Sequence, residues 1–111
     1  MAISADEKVI VSGNYDETIK LWSVDSGKEI RTFTGHSDWV ESVAISVDGK
    51  VIVSGSRDKT IKMWSVESGE EIRTFTGHSE YVKSVAISAD GKVIVSGSGD
   101  KTIKMWSVES G

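Results

Sequence analysis

The chain has 111 residues, a net charge of −4, 11 glycines, and neither proline nor cysteine. The acidic balance argues against nucleic acid, whose phosphates are neutralised by Lys and Arg, and against an anionic membrane surface; without cysteine, disulfides and thiolate metal sites are excluded. No apolar run approaches the ~20 residues of a membrane span, and the start Met1-Ala2-Ile3-Ser4-Ala5-Asp6 lacks the basic and apolar parts of a signal peptide, so the expected location is the cytoplasm.

The first element in chain order is a strand entered midway, at Ala2-Ile3-Ser4. Its sequence returns twice: Ala2, Ala44 and Ala86 each open a stretch Ala-Ile-Ser-x-Asp, with the same spacing of 42 that separates Trp22, Trp64 and Trp106. Residues 31–37 and 73–79 are identical, and their histidines, His36 and His78, also stand 42 apart. Residues 44–69 and 86–111 differ only at Val47 against Ala89 and Arg57 against Gly99. The first copy has drifted further, with Glu7, Asn14, Tyr15, Glu17, Leu21, Asp25 and Lys28. Repetition at this period is the mark of a repeat architecture.

The complete middle copy reads as four strands with a periodicity of two. Residues 40–46 are rich in β-branched side chains, and Asp48-Gly49 then makes a tight hairpin turn. Residues 50–56 form the next strand, and Arg57-Asp58-Lys59 the second turn. Residues 60–66 alternate, with Ile61, Met63 and Ser65 on one face, and Glu67-Ser68-Gly69 is the third turn. Residues 71–76 form a fourth strand. The expected fold is therefore all-β, built of four-stranded antiparallel meanders, and no segment has helical spacing. Lys59, Lys62, Glu67, Glu70, Glu71 and Arg73 suit a solvated outer surface that discourages edge pairing.

The pairs Gly35-His36 and Gly77-His78, with the run Ser-Gly-Ser-x-Asp-Lys-Thr-Ile-Lys-Met-Trp at 54–64 and 96–106, resemble the signatures of the WD-repeat β-propellers. The likeness covers essentially the whole chain. One departure is that Ser23, Ser65 and Ser107 stand where Asp usually follows Trp. The resemblance implies a hydrogen-bonded set of four residues in each blade. These are His36, Ser54, Asp58 and Trp64 in one blade, and His78, Ser96, Asp100 and Trp106 in the next. The first blade has Ser12, Asp16 and Trp22, its histidine falling before Met1. Ser56 and Ser98, on the same strand faces as Ser54 and Ser96, are second choices for the hydroxyl.

Ser, His and Asp together invite comparison with a catalytic triad. Against that, the set recurs once per blade and a Trp closes each one, so no catalytic residue is assigned. Two histidines a full blade apart make a poor metal pair, and Asp48-Gly49 and Asp90-Gly91 lack the further acidic ligands of a calcium loop. No metal and no cofactor is expected.

The resemblance also implies two partner-contact positions per blade, on the face carrying the channel mouth. One is the third residue after the Gly-His histidine, here Trp39 and Tyr81. The other precedes the turn Asp, here Tyr15, Arg57 and Gly99. These positions vary while the scaffold repeats, and aromatic and Arg side chains are enriched at binding hot spots. The competing assignment is packing of Trp39 and Tyr81 between neighbouring blades.

The 111 residues hold about two and a half blades: repeat one at 2–43, lacking part of its first strand, repeat two at 44–85, and a partial repeat three at 86–111. Closed propellers need about four to eight blades. The sequence therefore leads to a non-catalytic protein-interaction scaffold that is a fragment of a larger propeller or a subunit of an oligomeric ring. Its partners are proteins, further copies, or the remainder of a longer propeller. The alternative is a purely structural, self-assembling unit of recently amplified or engineered repeats with no selected ligand.

Overall fold

The computed structural model describes residues 1–108, and the end of partial repeat three, Glu109, Ser110 and Gly111, lies outside the described residues. Every regular element among the described residues is a strand. The first sheet contains β1 (Ala2–Ile3), β2 (Val9–Gly13), β3 (Thr18–Ser23) and β4 (Glu29–Thr34) in sequential order. The second contains β5 (Val40–Ile45), β6 (Val51–Ser56), β7 (Ile61–Ser65) and β8 (Glu71–Phe75), again in order. The third contains β9 (Val82–Ile87), β10 (Val93–Ser98) and β11 (Ile103–Ser107). All pairings are antiparallel, for example Val53 opposite Ala44 on one side and Met63 on the other.

Local chemistry sets these hairpins. At the turn after β5, the Ser46 hydroxyl donates to Asp48 Oδ1 at 2.6 Å, and the same oxygen accepts the Lys50 N–H at 2.9 Å. An Asp side chain that closes on backbone two residues ahead offers the chain a turn in place of ladder pairing. The hydroxyl in turn accepts the Val51 N–H at 3.1 Å, tying the turn to the start of β6. Ser4 with Asp6, and Ser88 with Asp90, repeat the device at 2.6 Å.

The sheets stack face to face through two apolar layers. Val11, Ile19, Leu21 and Phe33 of the first sheet meet Val40, Val43, Ile52 and Trp64 of the second. Val53, Ile61, Met63 and Phe75 on the opposite face of the second sheet meet Val82, Val85 and Ile94 of the third, with Trp106 packed against them. Both faces of the middle sheet are thus buried, and its strands carry apolar residues at successive positions, Ile52 and Val53, Met63 and Trp64, where a sheet with one wet face would alternate. Phe33 meets Trp64 edge-on at 5.8 Å between centroids, and Phe75 meets Trp106 at 5.6 Å, contacts worth about 0.5–1.5 kcal/mol each beyond their area. At the outer rim the Arg31 guanidinium donates to the carbonyls of Ser68 and Glu67 at 3.0 and 2.9 Å, clamping the first sheet to the second.

The same residues end up in opposite environments in the last sheet. Ile61 and Met63 are 0% and 6% exposed, whereas their counterparts Ile103 and Met105 are 79% and 75% exposed.

Candidate functional site

Two arrangements of polar side chains stand out, one buried and one at the surface. The buried one links strand, loop and turn. In the second sheet His36, in the β4–β5 loop, places Nδ1 2.8 Å from Asp58 Oδ2 and Nε2 2.6 Å from Ser54 Oγ. The Trp64 indole N–H donates to Ser54 Oγ at 2.9 Å. The third sheet repeats this with His78 Nδ1 to Asp100 at 2.9 Å, Nε2 to Ser96 at 2.7 Å, and Trp106 to Ser96 at 2.9 Å. A carboxylate only accepts and an indole only donates, so for a neutral ring the directions follow. Trp donates to Ser, the Ser hydroxyl donates to Nε2, and Nδ1–H donates to Asp.

In the first sheet the Trp22 N–H donates to Ser12 Oγ at 3.1 Å, while Asp16 accepts the backbone N–H of Thr18 at 3.1 Å and its hydroxyl. Ser56 and Ser98 serve elsewhere. Their hydroxyls donate to the carbonyls of Trp39 and Tyr81 at 2.9 and 3.0 Å. Ser54 and Ser56 share a strand face, yet Ser54 bonds to the His36 ring whereas Ser56 bonds to the loop carbonyls of Asp38 and Trp39.

The loop glycines make room for this packing. Gly35 and Gly77 have φ of 155° and 153°, and a Cβ built on either would lie 2.9 Å from Cη2 of Trp64 or Trp106. Burial pushes the Asp58 carboxyl up, but bonds from the His36 ring, the Thr60 hydroxyl and the Ser37 N–H outweigh it and hold the group well below the usual carboxylate range. Asp100 is held low chiefly by the Thr102 hydroxyl, against burial, with help from the His78 ring and the Ser79 N–H. The Thr18 hydroxyl lowers Asp16 in the same way.

Serine, histidine and aspartate here have the connectivity of a nucleophile relay. Ser54 and Ser96 are nevertheless 0% and 1% exposed, with an indole N–H occupying a lone pair. Each hydroxyl is enclosed by its own relay and offers no surface to a substrate.

The second arrangement lies where the relay loops meet the turns after β2, β6 and β10. The Arg57 N–H donates to the Trp39 carbonyl at 2.9 Å, and the Gly99 N–H to that of Tyr81 at 3.0 Å. The Val40 N–H crosses from the second sheet to the Asn14 carbonyl of the first at 3.1 Å. These bonds set Arg57 and Tyr15 beside Trp39, and Gly99 beside Tyr81, and the side-chain contacts join the five into one ladder. Tyr15 stacks on Trp39 with centroids 4.3 Å apart and planes inclined by 22°. Arg57 Cζ lies 4.3 Å from the Trp39 ring centre and 5.4 Å from that of Tyr81. Gly99 lies against Tyr81, with a Cβ built there 3.2 Å from Cε1. The side chains pack from blade to blade and stay open to solvent, Tyr15 being 69% and Trp39 37% exposed.

Two further residues belong to this surface and were not singled out from the sequence. Glu41 Oε1 accepts from Arg57 Nε at 2.9 Å, and Lys83 Nζ lies 5.6 Å from the Tyr81 ring centre. They occupy equivalent places 42 residues apart with opposite charge, a signal visible once the repeats are aligned from His36 and His78.

The family follows from these features. The family model described as WD domain, G-beta repeat (WD40) matches residues 1–23, 27–65 and 69–107, and the chain belongs to this family. Among similar proteins, Nuclear distribution protein PAC1-2 of Postia placenta is 43% identical over 42 residues, which are 38% of this chain and 10% of that protein. U3 small nucleolar RNA-interacting protein 2 of Homo sapiens is 43% identical over 44 residues, 40% of this chain and 9% of that protein. The chain thus spans about a tenth of the length of these relatives. A solved structure of U3-55K superposes with a TM-score of 0.90 at 35% identity, covering 96% of this chain and 35% of that one.

Proposed function

We propose that the chain is a non-catalytic protein-interaction scaffold, and that partners bind across the ladder of Tyr15, Trp39, Arg57 and Tyr81. One observation carries the reading. Between residues 36–69 and 78–111 the differences are Asp38/Glu80, Trp39/Tyr81, Glu41/Lys83, Val47/Ala89 and Arg57/Gly99. Trp39, Tyr81, Glu41, Lys83, Arg57 and Gly99 all take part in contacts of the ladder, while the relay residues are unchanged. A constant buried frame supporting a variable surface of aromatic and Arg side chains is the arrangement expected of a binding face. The cysteine-free composition suits a reducing compartment, and a cytoplasmic location is part of the same proposal.

The experiment is selection from a displayed library of peptides and small domains against the folded chain. Binders should lose affinity for Trp39→Ala, Tyr81→Ala and Arg57→Ala variants whose thermal unfolding is unchanged. Binders indifferent to all three substitutions would place the contact surface elsewhere.

A second reading has its own observation. Val95, Ile103 and Met105 form an apolar surface equivalent to the one that Val53, Ile61 and Met63 bury, so this face suits a further sheet of the same kind. A self-assembling structural unit would use it between copies. Sedimentation distinguishes the two: an Ile103→Lys, Met105→Lys variant should lower the particle mass if copies assemble through this face, and leave it unchanged if they do not.

A further inference from the structure

The second and third sheets hold the same backbone but opposite charge beside their ladder aromatics. In the second, Glu41 pairs with Arg57 at 2.9 Å, so the guanidinium over Trp39 is neutralised within its own blade. In the third, Gly99 replaces the Arg and Lys83 replaces the Glu. Tyr81 therefore has two cations near its ring, Arg57 at 5.4 Å and Lys83 at 5.6 Å. Among the described residues no carboxylate forms an ion pair with the exposed Lys83.

Resting on the scaffold reading above, we propose that the Tyr81–Lys83 corner receives the carboxylate side chain of an acidic partner segment. The ammonium of Lys83 supplies the charge, and the Tyr81 ring supplies an apolar wall for the aliphatic stem of the Asp or Glu. Complementary charge of this kind steers encounter and fixes register more than it adds affinity. A peptide suits the site better than nucleic acid. Asp38, Glu41 and Glu80 flank the ladder, and they would repel the successive phosphates of a polynucleotide while tolerating an isolated carboxylate.

The test uses the whole chain and three pools of blocked, fluorescent peptides of the form Gly-X-Glu-X-Glu-X-Gly, with Gln or Lys replacing Glu in the second and third pools and X an equal mixture of Ala, Leu and Tyr. Anisotropy titration should show the Glu pool binding about threefold to fivefold tighter than the Gln pool at low ionic strength, the scale of one exposed ion pair. Added salt should shrink that preference. Lys83→Gln should abolish it, and Lys83→Glu should turn it toward the Lys pool. A wild-type preference for the Lys pool, a Glu preference that survives Lys83→Gln, or tighter binding of a single-stranded oligonucleotide would overturn the proposal. Equal binding of all three pools, lost in Trp39→Ala, would overturn it while leaving the scaffold reading intact. Failure of every pool together with failure of the library selection would remove both.

Discussion

Trp64 and Ser54 sit on adjacent strands with the indole N–H 2.9 Å from a hydroxyl that also lies 2.6 Å from the His36 ring. One buried oxygen therefore serves two partners, and removing it strands both. Ser54→Ala should cost about 2–3 kcal/mol in urea unfolding, because two enclosed polar groups lose their bonds together. Ser12→Ala should cost only about 1 kcal/mol, since Ser12 bonds to a half-buried Trp22. Equal losses would mean that the bond from Ser54 to the His36 ring adds nothing to stability.

Acid should weaken the fold through Asp58 and Asp100. Both carboxyls are held below the usual range in the folded chain, and an unfolded Asp titrates near ~3.9. The unfolded state then binds more protons once the pH falls below about 4, so their contribution is present above that value and is lost progressively as the pH drops toward the folded pKa. A double variant Asp58→Asn, Asp100→Asn should be less stable at neutral pH and should show a shallower acid limb. Asp6, Asp48 and Asp90, also held low by Ser4, Ser46 and Ser88, preserve part of the slope.

Two glycines with positive φ should respond differently. Gly35→Ala brings a methyl to 2.9 Å from Trp64 as well as backbone strain, and should destabilise by about 1–3 kcal/mol. Gly49→Ala meets nothing within 4 Å, and Glu7 already occupies the equivalent place at φ 62°, so the loss should stay near ~1 kcal/mol. Thermal unfolding of the two variants side by side measures the difference.

Stacking position should decide the worth of identical residues. Ile61→Ala should cost about 2–5 kcal/mol, as a cavity in a closed layer does. Ile103→Ala should cost under about 0.5 kcal/mol in dilute chain. A large effect at Ile103 that grows with protein concentration would instead signal association through that face.

Much of the fold is legible in the sequence because each unit is written more than once. The recurrence of Trp22, Trp64 and Trp106, with turn pairs such as Asp48-Gly49 between β-branched runs, leads to the meander, while the histidine sets come from the resemblance carried by the Gly-His pairs. Periodicity within one strand says less. It places Ser54 and Ser56 on one face without separating their tasks. It also puts Ile61 and Met63 on one side while leaving open that Trp64, on the other, is buried as deeply; that depends on a sheet packing against each face. The Tyr15–Trp39 stack was illegible for a related reason. It joins residues of different sheets, and its distance is set by how one sheet rotates onto the next. Glu41 and Lys83 were legible in principle, since their opposite charges stand out when the repeats are aligned from their histidines.

The four tryptophans provide the most direct measurement, because Trp39 lies in the ladder while Trp22, Trp64 and Trp106 donate their indole N–H to buried or half-buried serines. A proton–nitrogen correlation spectrum of the labelled chain, titrated with a selected peptide, reports all four indoles at once. The Trp39 signal should shift while the other three hold their positions. Movement of the Trp64 or Trp106 indole with Trp39 unchanged would be the contrary result, placing binding in the relay and not on the ladder it supports.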